Sequence, residues 1–305
     1  MTREFGRYRL HAAENSWAGP ARPAGLIPVG CGWPYHVAEA TQDPNWRHMT
    51  RPSLSEVKSE GQPRWVVDRV NDEHLFGRLY MRKISPRATW LLARLGWSPN
   101  AVTLAFIACG VAAGVVIAFG GLATAIVAAV LVQLALLFDC SDGELARLTR
   151  RTSAGGIYLD RVGHYLCESA MLIGLGVRAQ GELTISGKYV TAGLAAAVLA
   201  CLVKAETDNV IIARAIQGLP AAHDNESLQP RGAGLAAARR AASVLKVHRI
   251  IQQIELSVLV LLAAIADAIR GGVLATQVLL IACLIVAALM VVAHLAAIMA
   301  SRRLS

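Results

Sequence analysis

Charge is scarce in this chain. Asp, Glu, Lys and Arg make up only 17% of its 305 residues, below the roughly 25% usual for soluble domains. The scarcity is also uneven. None of the four occurs in the 38 residues from Ala101 to Phe138, nor in the 31 from Gly271 to Ser301. A helix that crosses a bilayer needs about 20 apolar residues, and a soluble core helix seldom has so many. Runs of this length exclude an ordinary soluble enzyme and a disordered chain. Acids are scarcer than bases, 21 against 30. In a chain that is 55% apolar, that imbalance points to cytoplasmic loops and membrane lipid headgroups rather than to nucleic acid. The six cysteines lack the paired spacing of a disulfide frame or a zinc site. Four of them, Cys109, Cys167, Cys201 and Cys283, fall in apolar segments, so a reduced compartment is expected. Arg3, Glu4, Arg7 and Arg9 have no apolar stretch behind them, so a signal peptide is not expected.

What is present divides the chain into three parts. Residues 1–70 hold Pro20, Pro23, Pro28 and Pro34 without sustained periodicity, and read as an irregular cytoplasmic lead-in. They contain no glycine-rich phosphate loop. Residues 71–97 read as a juxtamembrane amphipathic helix beginning near Phe76. In it Ser85-Pro86 resembles a cap followed by proline at the first helical position, and Gly96 suits the stop. Ala88, Leu91, Leu92 and Leu95 form its apolar stripe, flanked by Arg82, Lys83, Arg87 and Arg94. Such a helix lies in the interface with its bases on anionic headgroups, or packs on the protein's own core.

Residues 98–305 read as an all-α membrane domain of six transmembrane helices. The uncharged run to Phe138 would be about 57 Å long as one helix, nearly twice the bilayer's ~30 Å core. It must therefore fold back, and Gly120-Gly121 is the turn. Spans are expected near 99–119, 122–147, 156–179, 188–216, 249–269 and 273–300. Arg147, Arg150 and Arg151 would then share one side with Arg231, Arg239, Arg240, Lys246, Arg249, Arg302 and Arg303. By the positive-inside rule both termini are cytoplasmic. Gly110-x-x-x-Gly114 permits close helix contact, most simply within the chain.

The chemistry concentrates in spans two and three. The string Asp139-Cys140-Ser141-Asp142-Gly143-Glu144-Leu145-Ala146-Arg147 is followed by Gly156, Asp160 and His164. Buried acids cost roughly 2.5–3.5 kcal/mol each at the centre of a membrane helix, so they should face a polar cavity or a cation. Asp139 and Asp142 are i, i+3, and Asp160 and His164 are i, i+4. Two antiparallel helices can point all four inward. An oxygen-rich set of this kind suits Mg²⁺ or Mn²⁺. A pair of acids at a helix end, neutralised by Arg147, Arg150 and Arg151, is the plainer alternative.

The whole spacing resembles the signature of the CDP-alcohol phosphotransferases, D-x-x-D-G-x-x-A-R-x8-G-x-x-x-D-x-x-x-D. Every fixed position but the last is met; there His164 replaces aspartate. Ser98-Pro99-Asn100 and Thr103 also resemble that family's entry to its first span, and the likeness covers about residues 70–300. It implies transfer of a substituted phosphate from a CDP-linked alcohol to an acceptor hydroxyl, with CMP released, and it implies a homodimer. It further implies that Asp139, Asp142 and Asp160 hold divalent metal, as two ions. Gly143 and Ala146 would leave room for the donor, Arg147 would pair with phosphate, and Gly156 would permit close helix contact. His164 would act as base or as metal ligand. Glu168, one turn further on, would orient its ring.

Span four carries Lys204, Glu206, Asp208 and Arg214. Lys204 and Asp208, at i, i+4, read as a pair in an acceptor pocket, or as the interfacial end of a short span. A phospholipid is the leading product, with polyol phosphodiesters also open. The competing classes are a small-solute transporter, for which no internal repeat is visible, and a catalytically inactive CDP-alcohol-binding protein.

Overall fold

The computed structural model describes residues 27–29, 33–35, 52–63, 77–219 and 251–300. Apart from one short ribbon, these residues are helical. In the ribbon β1 (Ile27–Val29) pairs antiparallel with β2 (Trp33–Tyr35), Pro28 facing Pro34 in register. Eight α-helices follow among the described residues. They are α1 (Leu54–Gly61), α2 (Arg82–Arg94), α3 (Pro99–Ala118), α4 (Gly121–Leu148), α5 (Ala154–Gln180), α6 (Lys188–Ile216), α7 (Gln253–Arg270) and α8 (Leu274–Ala300). The basic loop residues Arg231, Arg239, Arg240, Lys246 and Arg249, and the terminal Arg302 and Arg303, lie outside the described residues.

Helix ends follow local chemistry. Ser98 caps α3, its hydroxyl accepting from the Ala101 N–H at 3.2 Å with Pro99 at the first helical position. Ser153 does the same for α5 through the Gly156 N–H at 3.0 Å. Between α3 and α4 the chain reverses at Gly120 and Gly121, both with φ above +70°, a region L side chains disfavour. In α1, Ser53 and Glu56 form a capping box. Bonds from the Ser53 backbone N–H and hydroxyl hold the Glu56 carboxyl below its ordinary pKa.

One cap expectation is corrected. Ser85-Pro86 does not open the juxtamembrane helix. A π-helical turn at Gly77–Met81 runs directly into α2 at Arg82, so Pro86 sits inside the helix and Ser85 is buried. The reason is tertiary: the Ser85 hydroxyl is spent on Glu144 of α4, at 2.6 Å. The apolar stripe also divides. Leu92 faces inward with Ser85, Pro86 and Thr89, while Ile84, Leu91 and Leu95 face out. The stop at Gly96 is as expected: the Trp97 N–H reaches back to the Leu92 carbonyl at 3.0 Å, and Gly96 has φ +73°.

Helix α3 packs against α4 and α5, α5 against α6, α6 against α8, and α4 against α7. The six long helices match the expected spans to within a few residues. Four of them, α3, α4, α6 and α8, are long and apolar enough to cross a membrane. Helix α5 carries Asp160, Arg161, Glu168 and Arg178, and the shorter α7 carries Glu255, Asp267 and Arg270. Val278, Ile285, Leu289, Val292, Leu295 and Met299 of α8 face outward, an apolar strip of the kind that meets a membrane or a partner.

Gly110 and Gly114 do serve packing within the chain. A Cβ on Gly110 would strike Cys167, and one on Gly114 would strike the backbone of Ala170. Across the same seam Gly174 lies against the Gly114 carbonyl. Gly174→Ala should therefore cost about 1–3 kcal/mol by overpacking, read as a lower melting midpoint of the detergent-solubilised protein. An unchanged midpoint would mean that α3 and α5 are not in contact there.

Candidate active site

The site forms where the carboxyl half of α4, the amino half of α5 and the start of α3 meet. His164 Nε2 lies 3.2 Å from Asp139 Oδ1 and 3.7 Å from Asp160 Oδ1. One ligand atom from each of the three residues fits within a mutual distance of 4.8 Å. The imidazole is packed by Phe106 of α3, ring centroids 5.1 Å apart. Gly163 makes that approach possible, since a Cβ there would come within 2.8 Å of the Phe106 ring. The side chains of Asp139, Asp160 and His164 are 21%, 40% and 33% exposed, so the group is reachable from outside the bundle.

Asp142 stands beside this trio, turned toward α3. Its Oδ2 accepts from the Thr103 hydroxyl at 2.7 Å, and its Oδ1 from the backbone N–H of Gly143. Asn100 lies next to Gly156, where an added Cβ would come within 3.1 Å of Asn100 Oδ1. The Pro99 carbonyl lies 3.2 Å from the same Thr103 Oγ1. The start of α3 is thus brought onto the motif. Ala146 and Gly143 are half-buried on the same turns of α4. Arg147 donates from Nε to the Gly61 carbonyl of α1 at 2.7 Å.

Glu168 lines the same cleft as Asp139, His164 and Phe106, together with Gln253 of α7. Its Oε1, however, is 3.1 Å from Lys204 Nζ. Asp208 accepts from Arg161 and, at 3.0 Å, from the Tyr165 hydroxyl. Lys204 and Asp208, expected to share one face of α6, thus each reach across to α5 and tie the two helices together. Sequence periodicity places residues on a face but does not name the partner opposite. Glu206 is held by His294 of α8 at 3.0 Å.

Sequence reading missed Phe106, Gly163 and Gln253. Nothing local marks them. Gln253 is buried and its amide donates to the Gly110 carbonyl at 2.9 Å, a contact across more than 140 positions of chain. Glu144 was also passed over, since its position in the motif is unspecified.

The family model for CDP-alcohol phosphatidyltransferases matches residues 97–299. The chain belongs to that family. Comparison with curated proteins finds no match. The matched segment contains every residue of the trio and the whole of α3 to α7, so the family assignment and the site geometry meet on the same helices. This is an enzyme family acting on a CDP-alcohol donor and an acceptor, with divalent metal.

The donor set fits such a metal. Two carboxylates outnumber the single imidazole that faces them, so the group stays electronegative even with His164 protonated. The carboxylate oxygens suit Mn²⁺ or Mg²⁺. Asp139→Asn and Asp160→Asn should each weaken Mn²⁺ binding at least about tenfold, measured by paramagnetic resonance of the free ion. Wild-type affinity in both variants would remove these residues as ligands.

Proposed function

We propose that the chain transfers a substituted phosphate from a CDP-linked alcohol to an acceptor hydroxyl and releases CMP. The observation that carries this reading is the meeting of Asp139, Asp160 and His164 on neighbouring helices within the family-matched segment. In this reading all six long helices span the bilayer. Buried polar residues such as Asp142, Glu168, Arg178 and Asp267 would then lie inside the bundle, and both termini and the site would face the cytoplasm.

Asp139, Asp142 and Asp160 would hold two divalent ions, Mg²⁺ or Mn²⁺. When bound, such ions neutralise the diphosphate and stabilise entering and leaving oxygens. Arg147 would draw the donor's phosphate toward the end of α4. Gly143 and Ala146 would leave room for the nucleotide, and Gly156, Asn100, Pro99 and Thr103 would shape its rim. His164 Nε2 would take the proton of the acceptor hydroxyl. The new O–P bond forms as the P–O bond to CMP breaks, and CMP leaves with that electron pair. One nitrogen lone pair cannot serve proton and metal together, and Asp139 and Asp160 would offer an ion two carboxylates without it, so His164 is assigned as base. Glu168 would hold the field around that ring. Lys204 and Asp208 would line the acceptor side, in a polar seam that α5 and α6 already share.

The product class favoured is a phospholipid. The outward Ile84, Leu91 and Leu95 of α2 put an apolar face directly beside the motif helix, suited to a lipid-linked partner at the membrane surface. A homodimer, implied by the family, belongs to the same proposal.

Purified protein supplied with a panel of CDP-alcohols and Mg²⁺ or Mn²⁺ should release CMP, and chelation should stop it. Product mass then identifies the acceptor. Absence of CMP from every donor would refute the transferase reading. His164→Ala should slow turnover at least about 10²-fold while CDP-alcohol still binds. Full activity in that variant would end the base assignment, and loss of Mn²⁺ binding would reassign His164 as a ligand.

A further inference from the structure

Glu144 occupies a motif position that the family pattern leaves unspecified, two residues after Asp142. Its side chain has no solvent exposure. A buried carboxylate is costly unless donors surround it, and here they do. Oε1 accepts from Ser85 Oγ at 2.6 Å and from Gln62 Nε2 at 2.8 Å, and Oε2 accepts from Thr89 Oγ1 at 2.7 Å. Arg82 Nη1 stands 4.0 Å from Oε1. Every one of these donors comes from outside α4: Gln62 from the end of α1, the rest from α2.

Two further contacts show what this node holds. Pro86 has no N–H, so the Arg82 carbonyl four residues earlier loses its helical donor. The Gln62 amide supplies it, at 2.9 Å. A primary amide has two N–H bonds, and Gln62 directs them to Glu144 and to this orphaned carbonyl. Next to it, the Gly61 carbonyl accepts from Arg147 Nε at 2.7 Å. The approach is close: a Cβ at Gly61 would lie 3.2 Å from Glu144 Cβ. Glu144 and Arg147 are three residues apart on α4, so α1 is latched through one and reaches the other.

We propose that Glu144 is a positioning residue for the donor site: by latching α1 and α2 onto α4, it fixes the Gly61 carbonyl that aims Arg147. The proposal rests on the reading above in which Arg147 meets the donor phosphate. It makes residues 52–63, which precede the family-matched segment, part of the working enzyme.

The test uses the full chain in detergent with Gln62→Ala, Thr89→Val and Thr89→Ser. Amide exchange over residues 54–61 reads the latch without reference to turnover. In Gln62→Ala it should quicken at least about tenfold, and KM for the CDP-alcohol should rise about tenfold with kcat and Mn²⁺ affinity little changed. Thr89→Val should shift KM in the same direction, and Thr89→Ser, which keeps the hydroxyl, should return it toward the wild-type value. Unchanged exchange in Gln62→Ala would overturn the latch. Faster exchange with an unchanged KM, or a joint loss of Mn²⁺ binding and kcat, would reduce Glu144 to a structural role. Should the wild type release no CMP from any donor, the transferase reading fails on its own. The calorimetric affinity of CDP for Gln62→Ala against wild type then decides the positioning role in place of KM.

Discussion

A carboxylate inside a bundle of apolar helices has to find hydrogen-bond donors, an opposite charge or a cation, because little water is there to solvate it. This requirement organises the present structure more than any apolar contact does. Glu144 is met by an amide and two hydroxyls, Asp142 by Thr103 and a backbone N–H, and Glu168 by Lys204. Asp208 is met by Arg161 and Tyr165, and Glu206 by His294. Asp139 and Asp160 converge instead on one imidazole. Two acids that share one imidazole carry more negative charge than that ring can offset, which is the electrostatic condition for attracting a cation.

The same requirement explains why α2 faces as it does. A helix at a soluble surface buries its leucines. Here Ser85 and Thr89 turn inward because Glu144 needs donors, and Leu91 and Leu95 are left outside. Such an arrangement is stable only where the outside is itself apolar. At the other end of the bundle the logic recurs with a structural outcome. Arg178 is buried among the Gly121 carbonyl, Thr124 and Thr276, and Asp267 accepts the first N–H groups of α8. That clasp joins the α3–α4 turn to the α7–α8 turn, and its acid is already saturated.

The helices were legible in the sequence because uncharged runs, Ser caps and the Gly120-Gly121 break are local signals. The acidic and imidazole cluster was legible because the motif spacing converts directly into helix faces: Asp139 lies opposite Asp160 and His164 as the i, i+3 and i, i+4 geometry requires. Partners across helices were not legible. Lys204 could be placed on a face of α6, yet its contact with Glu168 depends on how α5 is rotated, and the close approaches at Gly114, Gly163 and Gly174 bear on that rotation without any charge to mark it. Ser85-Pro86 misled for a related reason. Its local pattern is that of a cap, but a buried carboxylate nearly 60 residues away outcompetes the backbone for the hydroxyl. The π-helical turn before α2 carries no sequence signal at all.

Histidine in place of the aspartate of the signature that the motif resembles would alter the balance of this site in a definite direction. An acid there would add a third negative charge to Asp139 and Asp160; imidazole adds none, and adds a positive one when protonated. The attraction for a bare dication would be weaker as a result, and under the proposed reaction an ion held there would lean more on the phosphate oxygens of the donor. If Nε2 ligates, the nitrogen favours Mn²⁺, since Mg²⁺ is poorly served by nitrogen donors. If Nε2 instead faces the acceptor, a base less acidic than a carboxyl can draw the hydroxyl proton nearer to neutral pH. Either outcome uses the ring orientation that Phe106 and Gly163 impose, so the substitution and its packing have to be understood as one feature of the site.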